Sequence, residues 1–187
     1  MDRRDALKVM GTSLSAAFMM NVAPHTHAAI LKDRAKARKR IVFYFTATGN
    51  SLFIAKQLSD SPLSIPQELK KTDLTYEADE IGFVFPDYAA AVPVIVREFV
   101  EKARFKASYI FSVITFGNAS VNVAEWWNDW TKAKGLHNNY INTILMVDNY
   151  LPVFDMNEQI KIDKKTDENM AGIIGDISGH KDFIAPS

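Results

Sequence analysis

Ile41-Val42-Phe43-Tyr44-Phe45-Thr46-Ala47-Thr48-Gly49-Asn50-Ser51 runs an apolar stretch straight into a hydroxyl- and glycine-bearing turn, and an apolar helical pattern over residues 52–58 follows at once. Five apolar or aromatic residues in a row read as a strand covered on both faces, as in a parallel sheet. The turn offers the Thr46, Thr48 and Ser51 hydroxyls beside main-chain N–H groups at the positive end of the helix. Such a cradle holds a phosphate without any Lys or Arg. The alternative is a polar β–α turn capped by Asn50 or Ser51. Neither G-x-x-x-x-G-K-[ST] nor G-x-G-x-x-G occurs in the 187 residues, so a P-loop and the dinucleotide fingerprint are both excluded.

Outward from that turn the chain alternates strand and helix patterns. Residues 63–66 give a poor second strand, 81–85 a clear third, 109–115 a fourth and 141–147 a fifth. Helical patterns cover 94–102, with Ile95, Phe99 and Val100 on the apolar side, 121–134, and 164–177, the last weakened by Gly172 and Gly175. This alternation predicts an α/β fold, a right-handed doubly wound sheet of five parallel strands in the order 2-1-3-4-5. Ligands of such sheets bind outside the carboxyl ends of the strands at the switch in strand order. The loops after strands three and four therefore join the first one: Pro86-Asp87-Tyr88-Ala89-Ala90-Ala91-Val92-Pro93 and Phe116-Gly117-Asn118-Ala119-Ser120. Each carries one aromatic ring and several main-chain donors, suited to a planar ligand with a polar edge.

The amino-terminal part differs in kind. Arg3-Arg4 opens residues 1–8, and a weakly apolar stretch rich in Ala, Met and Ser follows over 9–23. This is the pattern of a twin-arginine export signal, with cleavage expected after Ala28 and with Ala23 and Ala29 as competing sites. The stretch is too short and polar for a membrane span, which needs about 20 apolar residues. Residues 1–28 are thus expected to be a signal peptide, 29–40 a linker and 41–187 one domain, placing the mature protein in the periplasm or cell envelope. Lys32, Arg34, Lys36, Arg38, Lys39 and Arg40 crowd the linker, whereas residues 41–187 hold 13 Lys or Arg against 19 Asp or Glu, a net charge of −6. With no aromatic interleaving, the basic run reads as a solvated linker rather than a nucleic-acid or anionic-lipid arm. Cysteine is absent, which excludes disulfides, thiol catalysis and cysteine-ligated iron–sulfur clusters. His25 and His27 fall in the leader, and His137 and His180 are expected to be solvated; no metal-ligand spacing occurs.

Thr46-Ala47-Thr48-Gly49-Asn50-Ser51 resembles the [ST]-x-T-G-N-[TS] loop with which flavodoxins hold the phosphate of FMN. With Phe85-Pro86-x-Tyr88 and Pro93, Thr115-Phe116-Gly117 and Asp148-Asn149-Tyr150, residues 41–150 are similar to the flavodoxin-like half of bacterial flavodoxin–ferredoxin fusion proteins. The resemblance implies FMN as cofactor. It assigns Thr46, Ala47, Thr48, Gly49, Asn50 and Ser51 to the phosphate, Pro86, Asp87 and Tyr88 to one side of the isoalloxazine, and Thr115, Phe116, Gly117 and Asn118 to the other. The ferredoxin half is missing, since its clusters need cysteines. The electron partner implied is then an external redox protein or a small-molecule acceptor.

Asp87 beside a flavin would disfavour the anionic reduced form, although a solvated loop carboxylate reads equally well. Trp126, Trp127 and Trp130 lie on one helix, with 126 and 130 on a shared face, and are expected in the core or at a partner surface. No Ser/His/Asp set or paired carboxylates argue for hydrolysis. The expectation is an exported, FMN-binding electron-transfer protein. Two alternatives remain: an FMN-dependent reductase of a quinone or other small substrate, and a non-redox binding module for a phosphorylated ligand.

Overall fold

The structure, a computed structural model, describes residues 38–148, 150 and 153–186. The expected signal peptide and most of the expected linker lie outside the described residues. Strand β1 (Arg40–Tyr44) leads through the Thr46 turn into helix α1 (Asn50–Leu58). Strand β2 (Leu63–Ser64), α2 (Ile65–Glu68), β3 (Thr75–Glu77), β4 (Glu80–Pro86) and α3 (Val94–Lys102) follow. Then come β5 (Arg104–Lys106), β6 (Tyr109–Phe116), α4 (Val123–Ala133) and β7 (Tyr140–Leu145). Short α5 (Met156–Gln159), α6 (Thr166–Ser178) and β8 (Phe183–Ile184) complete the described chain.

The main sheet is parallel, in the order β2-β1-β4-β6-β7-β8. Its first five members reproduce the expected 2-1-3-4-5 order, that of the flavodoxin fold. The expected count of five is corrected to six, because β8 adds itself in parallel to the β7 edge through Phe183 opposite Tyr140. Two residues give no period-two signal to read. The three-residue strands β3 and β5 escaped notice for the same reason; they pair with each other outside the main sheet. The second expected strand is two residues long, and Pro66 lies in the first turn of α2, where its missing N–H is harmless.

Alternation along the central strands sorts side chains onto two cores. Phe43, Ile81, Phe83, Phe85 and Ile114 pack under α3 and α4, where Phe99 and Trp127 are fully buried. Val42, Val84, Phe111, Val113 and Ile144 face α1 and α6, which contribute Ile54, Leu58, Met170 and Ile173. Burial on both faces is why these strands read as continuous apolar runs. On α3 the buried row is Val96, Phe99 and Val100, with Ile95 only partly covered. Trp127 sends its indole N–H to Ser112 Oγ at 2.9 Å, while Trp126 is partly exposed and stacks on Trp130 at 6.0 Å.

The starts of the strands form a second polar centre. Buried Glu80, the first residue of β4, accepts hydrogen bonds from Arg40 Nε, from Arg38 Nη1 at 3.3 Å and from His180 Nε2 at 2.7 Å. The His180 ring also stacks on Tyr109 at 4.3 Å. His180, expected to be solvated, and Arg38 and Arg40, expected in a solvated linker, are instead built into the fold.

Candidate functional site

Four loops at the carboxyl ends of β1, β4, β6 and β7 surround a cavity of about 900 Å³, large enough for a cofactor-sized ligand of the usual ~300–1,000 Å³ class. It lies over β1 and β4, where the chain, having run outward to β2, turns back across the sheet.

The first loop is wound by its own side chain. Gly49 N–H donates to Thr46 Oγ1 at 2.9 Å, and Gly49 adopts φ 108° as the residue capping α1. An L side chain rarely adopts that conformation, so glycine is required here. Gly49 has no side chain with which to cap α1, and the first turn of the helix holds no acidic residue, so the helix brings no counter-charge of its own to its positive end. Asn50 Nδ2 donates to the Val147 carbonyl at 2.9 Å, tying the loop to the end of β7. Buried Ser51 and Thr115 share a hydroxyl–hydroxyl hydrogen bond of 2.8 Å. One of the two protons is consumed inside that pair, which leaves one O–H for a ligand.

The second loop begins with Asp87 N–H donating to the Thr115 carbonyl at 2.8 Å, a continuation of the β4–β6 ladder. Tyr88 N–H reaches the Ala91 carbonyl at 3.0 Å, and between them Ala89 and Ala90 adopt φ 54° and 64°. Two successive positive φ values are a conformation that Gly or Asn normally occupies. Two alanines there store about 1–2 kcal/mol each. Asp87 Oδ1 accepts the Ala91 N–H at 3.1 Å and helps to hold the turn, while Asp87 Oδ2 is buried without a partner. Burial pushes the Asp87 carboxyl above its ordinary value, and the N–H groups of Ala91 and Ala90 offset only part of that. Tyr88 is 46% exposed and meets Phe45 edge-on at 6.4 Å.

On the opposite wall Gly117 lies so close to Asp148 that a Cβ would fall 2.6 Å from the carboxyl carbon and 2.8 Å from its Cα. Lys164 Nζ approaches the Gly117 carbonyl at 3.4 Å. Twelve of the thirteen expected residues line the cavity: Thr46, Ala47, Thr48, Asn50 and Ser51; Pro86, Asp87 and Tyr88; and Thr115, Phe116, Gly117 and Asn118. The exception is Gly49, which shapes the loop without lining the space. Val121, Val147, Asp148, Tyr150 and Phe154 also line it, and none was assigned a place there from the sequence. Asp148 and Tyr150 were visible in the Asp-Asn-Tyr run after the fifth strand; Phe154 had no signal. No Lys or Arg is among the lining residues.

No family model matches the sequence, and no curated protein does. Among solved structures, the chain is similar to a putative flavoprotein from Bacteroides uniformis at 18% identity, over 66% of this chain and 98% of that one, with a TM-score of 0.45. It is similar to Smu.1420 from Streptococcus mutans at 13% identity, over 72% and 99% of the two chains, with a TM-score of 0.47. The two-electron reduced flavodoxin of Megasphaera elsdenii matches at 14% identity, over 56% and 84%, with a TM-score of 0.38.

Proposed function

We propose that the cavity binds FMN and that the protein is an electron-transfer flavoprotein of the cell envelope. The observation that carries the FMN reading is the amino terminus of α1, with no acidic residue in its first turn, opening beside the Thr46 and Ser51 hydroxyls into a cavity of cofactor size. Phosphate supplies the negative charge that this helix end lacks. Thr46, Thr48, Asn50 and Ser51 would hold the phosphate, and Tyr88 and Phe116 would flank the ring. The flavin supplies the redox chemistry when bound; the chain supplies orientation and charge. Its partner is a redox protein or a small-molecule acceptor, to which the exposed Tyr88, Val121 and Tyr150 side chains at the cavity offer an apolar contact.

Calorimetry with FMN and riboflavin tests the cradle. Each charge-assisted hydrogen bond lost with the phosphate contributes about 1.5–3 kcal/mol, so FMN should bind at least a hundredfold more tightly. Equal affinities would sink the phosphate assignment, and a colourless protein that ignores both would favour a non-redox site for another phosphorylated ligand. Rapid reoxidation of the reduced protein by a soluble quinone would favour the reductase alternative. The envelope assignment rests on Arg3-Arg4 and the apolar stretch after them, and recovery of the native protein in the cytoplasm would overturn it.

A further inference from the structure

Among the described residues three buried side-chain polar atoms lack a hydrogen-bond partner, Asp87 Oδ2, Arg97 Nε and Gln159 Oε1, and only Asp87 belongs to the cavity lining. The turn is wound so that Oδ1 receives the Ala91 N–H at 3.1 Å and leaves the second oxygen with nothing. An ionised carboxyl in that position loses hydration that no partner replaces. The titratable groups that share the cavity are Tyr88 on the same loop and Asp148 and Tyr150 beyond β7. The loop after β1 and the end of β6 contribute none, and Lys164 stands behind the Gly117 carbonyl on the far wall. No charged side chain contributes to the upward push on Asp87, which comes from burial, opposed by the Ala91 and Ala90 N–H groups. Asp148 differs, since its Oδ1 accepts the Tyr150 N–H at 3.0 Å and neither oxygen is buried without a partner.

We propose that Asp87 is the proton-holding residue of this site, a carboxylate that takes up one proton from solvent when negative charge arrives in the cavity as bound FMN is reduced. The inference rests on the FMN reading above. In the balance, oxidised FMN takes two electrons from an external donor and one proton to give the singly negative reduced flavin. Asp87 takes a second proton and becomes neutral; no covalent bond forms at the carboxyl. Charge added to a space lined by no cation disfavours a neighbouring carboxylate, and the one already short of a partner is the one to protonate. With two electrons matched by two protons, electron uptake then leaves the net charge of the site unchanged, whereas the flavin proton alone would leave it lower by one.

Spectroelectrochemistry on the FMN-loaded protein and on Asp87→Asn, from pH 5 to 8, reads this directly. Each proton taken up per two electrons moves the midpoint potential by about 30 mV per pH unit, the tenfold change in proton concentration expressed for a two-electron couple. The native protein should show a slope steeper than the variant by about that amount over the interval in which Asp87 protonates; equal slopes overturn the proposal. Asparagine keeps the shape and the acceptor for Ala91 N–H, so a residue that only winds the turn would leave the slope unchanged. Carbon NMR of the Asp87 carboxyl in the native holoprotein needs no variant. Its titration midpoint should move up on reduction, and an unmoved midpoint overturns the proposal. Calorimetry separates the two failures: absence of FMN binding removes both readings, whereas tight FMN binding with equal slopes removes this one alone.

Discussion

The two ends of the same sheet treat their polar groups in opposite ways. At the amino end, where Arg40, Glu80, Tyr109 and Tyr140 begin the four central strands, each finds a partner. Glu80 gathers Arg40, Arg38 and His180, Tyr109 donates to the Lys181 carbonyl at 2.7 Å, and Tyr140 takes Asn142 Nδ2 at 2.7 Å while reaching Asp176 at 3.3 Å. Burial, the largest influence on each, pushes both tyrosines up, Tyr140 to about 12, so these hydroxyls stay neutral donors across the physiological range. At the carboxyl end the first turn of α1 holds no acidic residue, Asp87 Oδ2 has no hydrogen-bond partner among the described residues, and two alanines sit in left-handed conformation. His180 is also left-handed, at φ 52°, and there its ring hydrogen-bonds Glu80 and stacks on Tyr109. Stability is concentrated at one end of the strands and unspent binding capacity at the other.

Glu80→Leu tests the first half of that contrast and carries the largest expected effect. Removing the buried carboxylate of this cluster leaves the partly buried Arg40 without its counter-charge, a loss of about 3 kcal/mol measured by chemical denaturation. FMN affinity should stay within about twofold, since Glu80 begins the strand whose far end carries the site; a large loss of affinity with intact stability would break the comparison. The pH dependence has opposite sign at the two ends. Desolvation raises the Glu80 carboxyl, yet the hydrogen bonds of Arg40 and His180, the Arg40 charge and the Arg38 bond together bring it below its ordinary value. Its stabilisation is therefore present above the ordinary carboxylate value and is lost as pH falls through the lower folded value. Asp87 is raised, so its contribution is fullest in acid and fades as pH rises through its folded value. Asp87→Asn should accordingly flatten the stability profile on that interval, and Glu80→Gln should flatten it at lower pH.

The contrast also marks what could be read in advance. The loops of the carboxyl end are local: Thr46 to Ser51 lie within six residues, and each loop follows a strand long enough to show itself, such as the seven residues of β4 or the eight of β6. The amino-end cluster joins residues separated by 40 and 100 positions, a relation that no spacing rule contains. His180 looked solvated because its sequence neighbours are polar, although Tyr109 and Glu80 enclose it in space. On α3 either Ile95 or Val96 fits an apolar face with Phe99, and only the direction of the sheet decided for Val96. The internal Ser51–Thr115 bond was hidden too, since a hydroxyl facing a phosphate and one facing another hydroxyl have the same sequence.

Gly117→Ala sharpens the comparison from the site side, with a middling effect. The new methyl would sit 2.6 Å from Asp148 Cγ, so one of the two loops has to move. Overpacking of this kind typically costs about 1–3 kcal/mol. Because both residues line the cavity, FMN affinity should fall by roughly tenfold or more while the amino-end cluster is untouched, which a parallel Glu80→Leu measurement would show. Full affinity with unchanged melting would mean that the Asp148 loop yields freely and is not a wall of the site.

Tyr88→Ala has the smallest expected effect and asks whether the strained turn serves the ligand or the fold. The ring is nearly half exposed and touches Phe45 only edge-on, so little core packing depends on it. Stacking on a planar ligand contributes about 0.5–1.5 kcal/mol beyond buried area, which corresponds to a loss of FMN affinity of up to about tenfold. An electron-rich ring also disfavours the anionic reduced flavin, so the potential should rise when it is removed. Had Tyr88 instead been a support for the sheet through Val92 or Ile95, the variant would lose thermal stability and keep both flavin properties. Affinity, potential and melting temperature measured on one preparation distinguish these outcomes. A folded variant with unaltered affinity and potential would leave Phe116, on the facing loop, as the residue that stacks, and would make the two left-handed alanines a device for placing Asp87 rather than Tyr88.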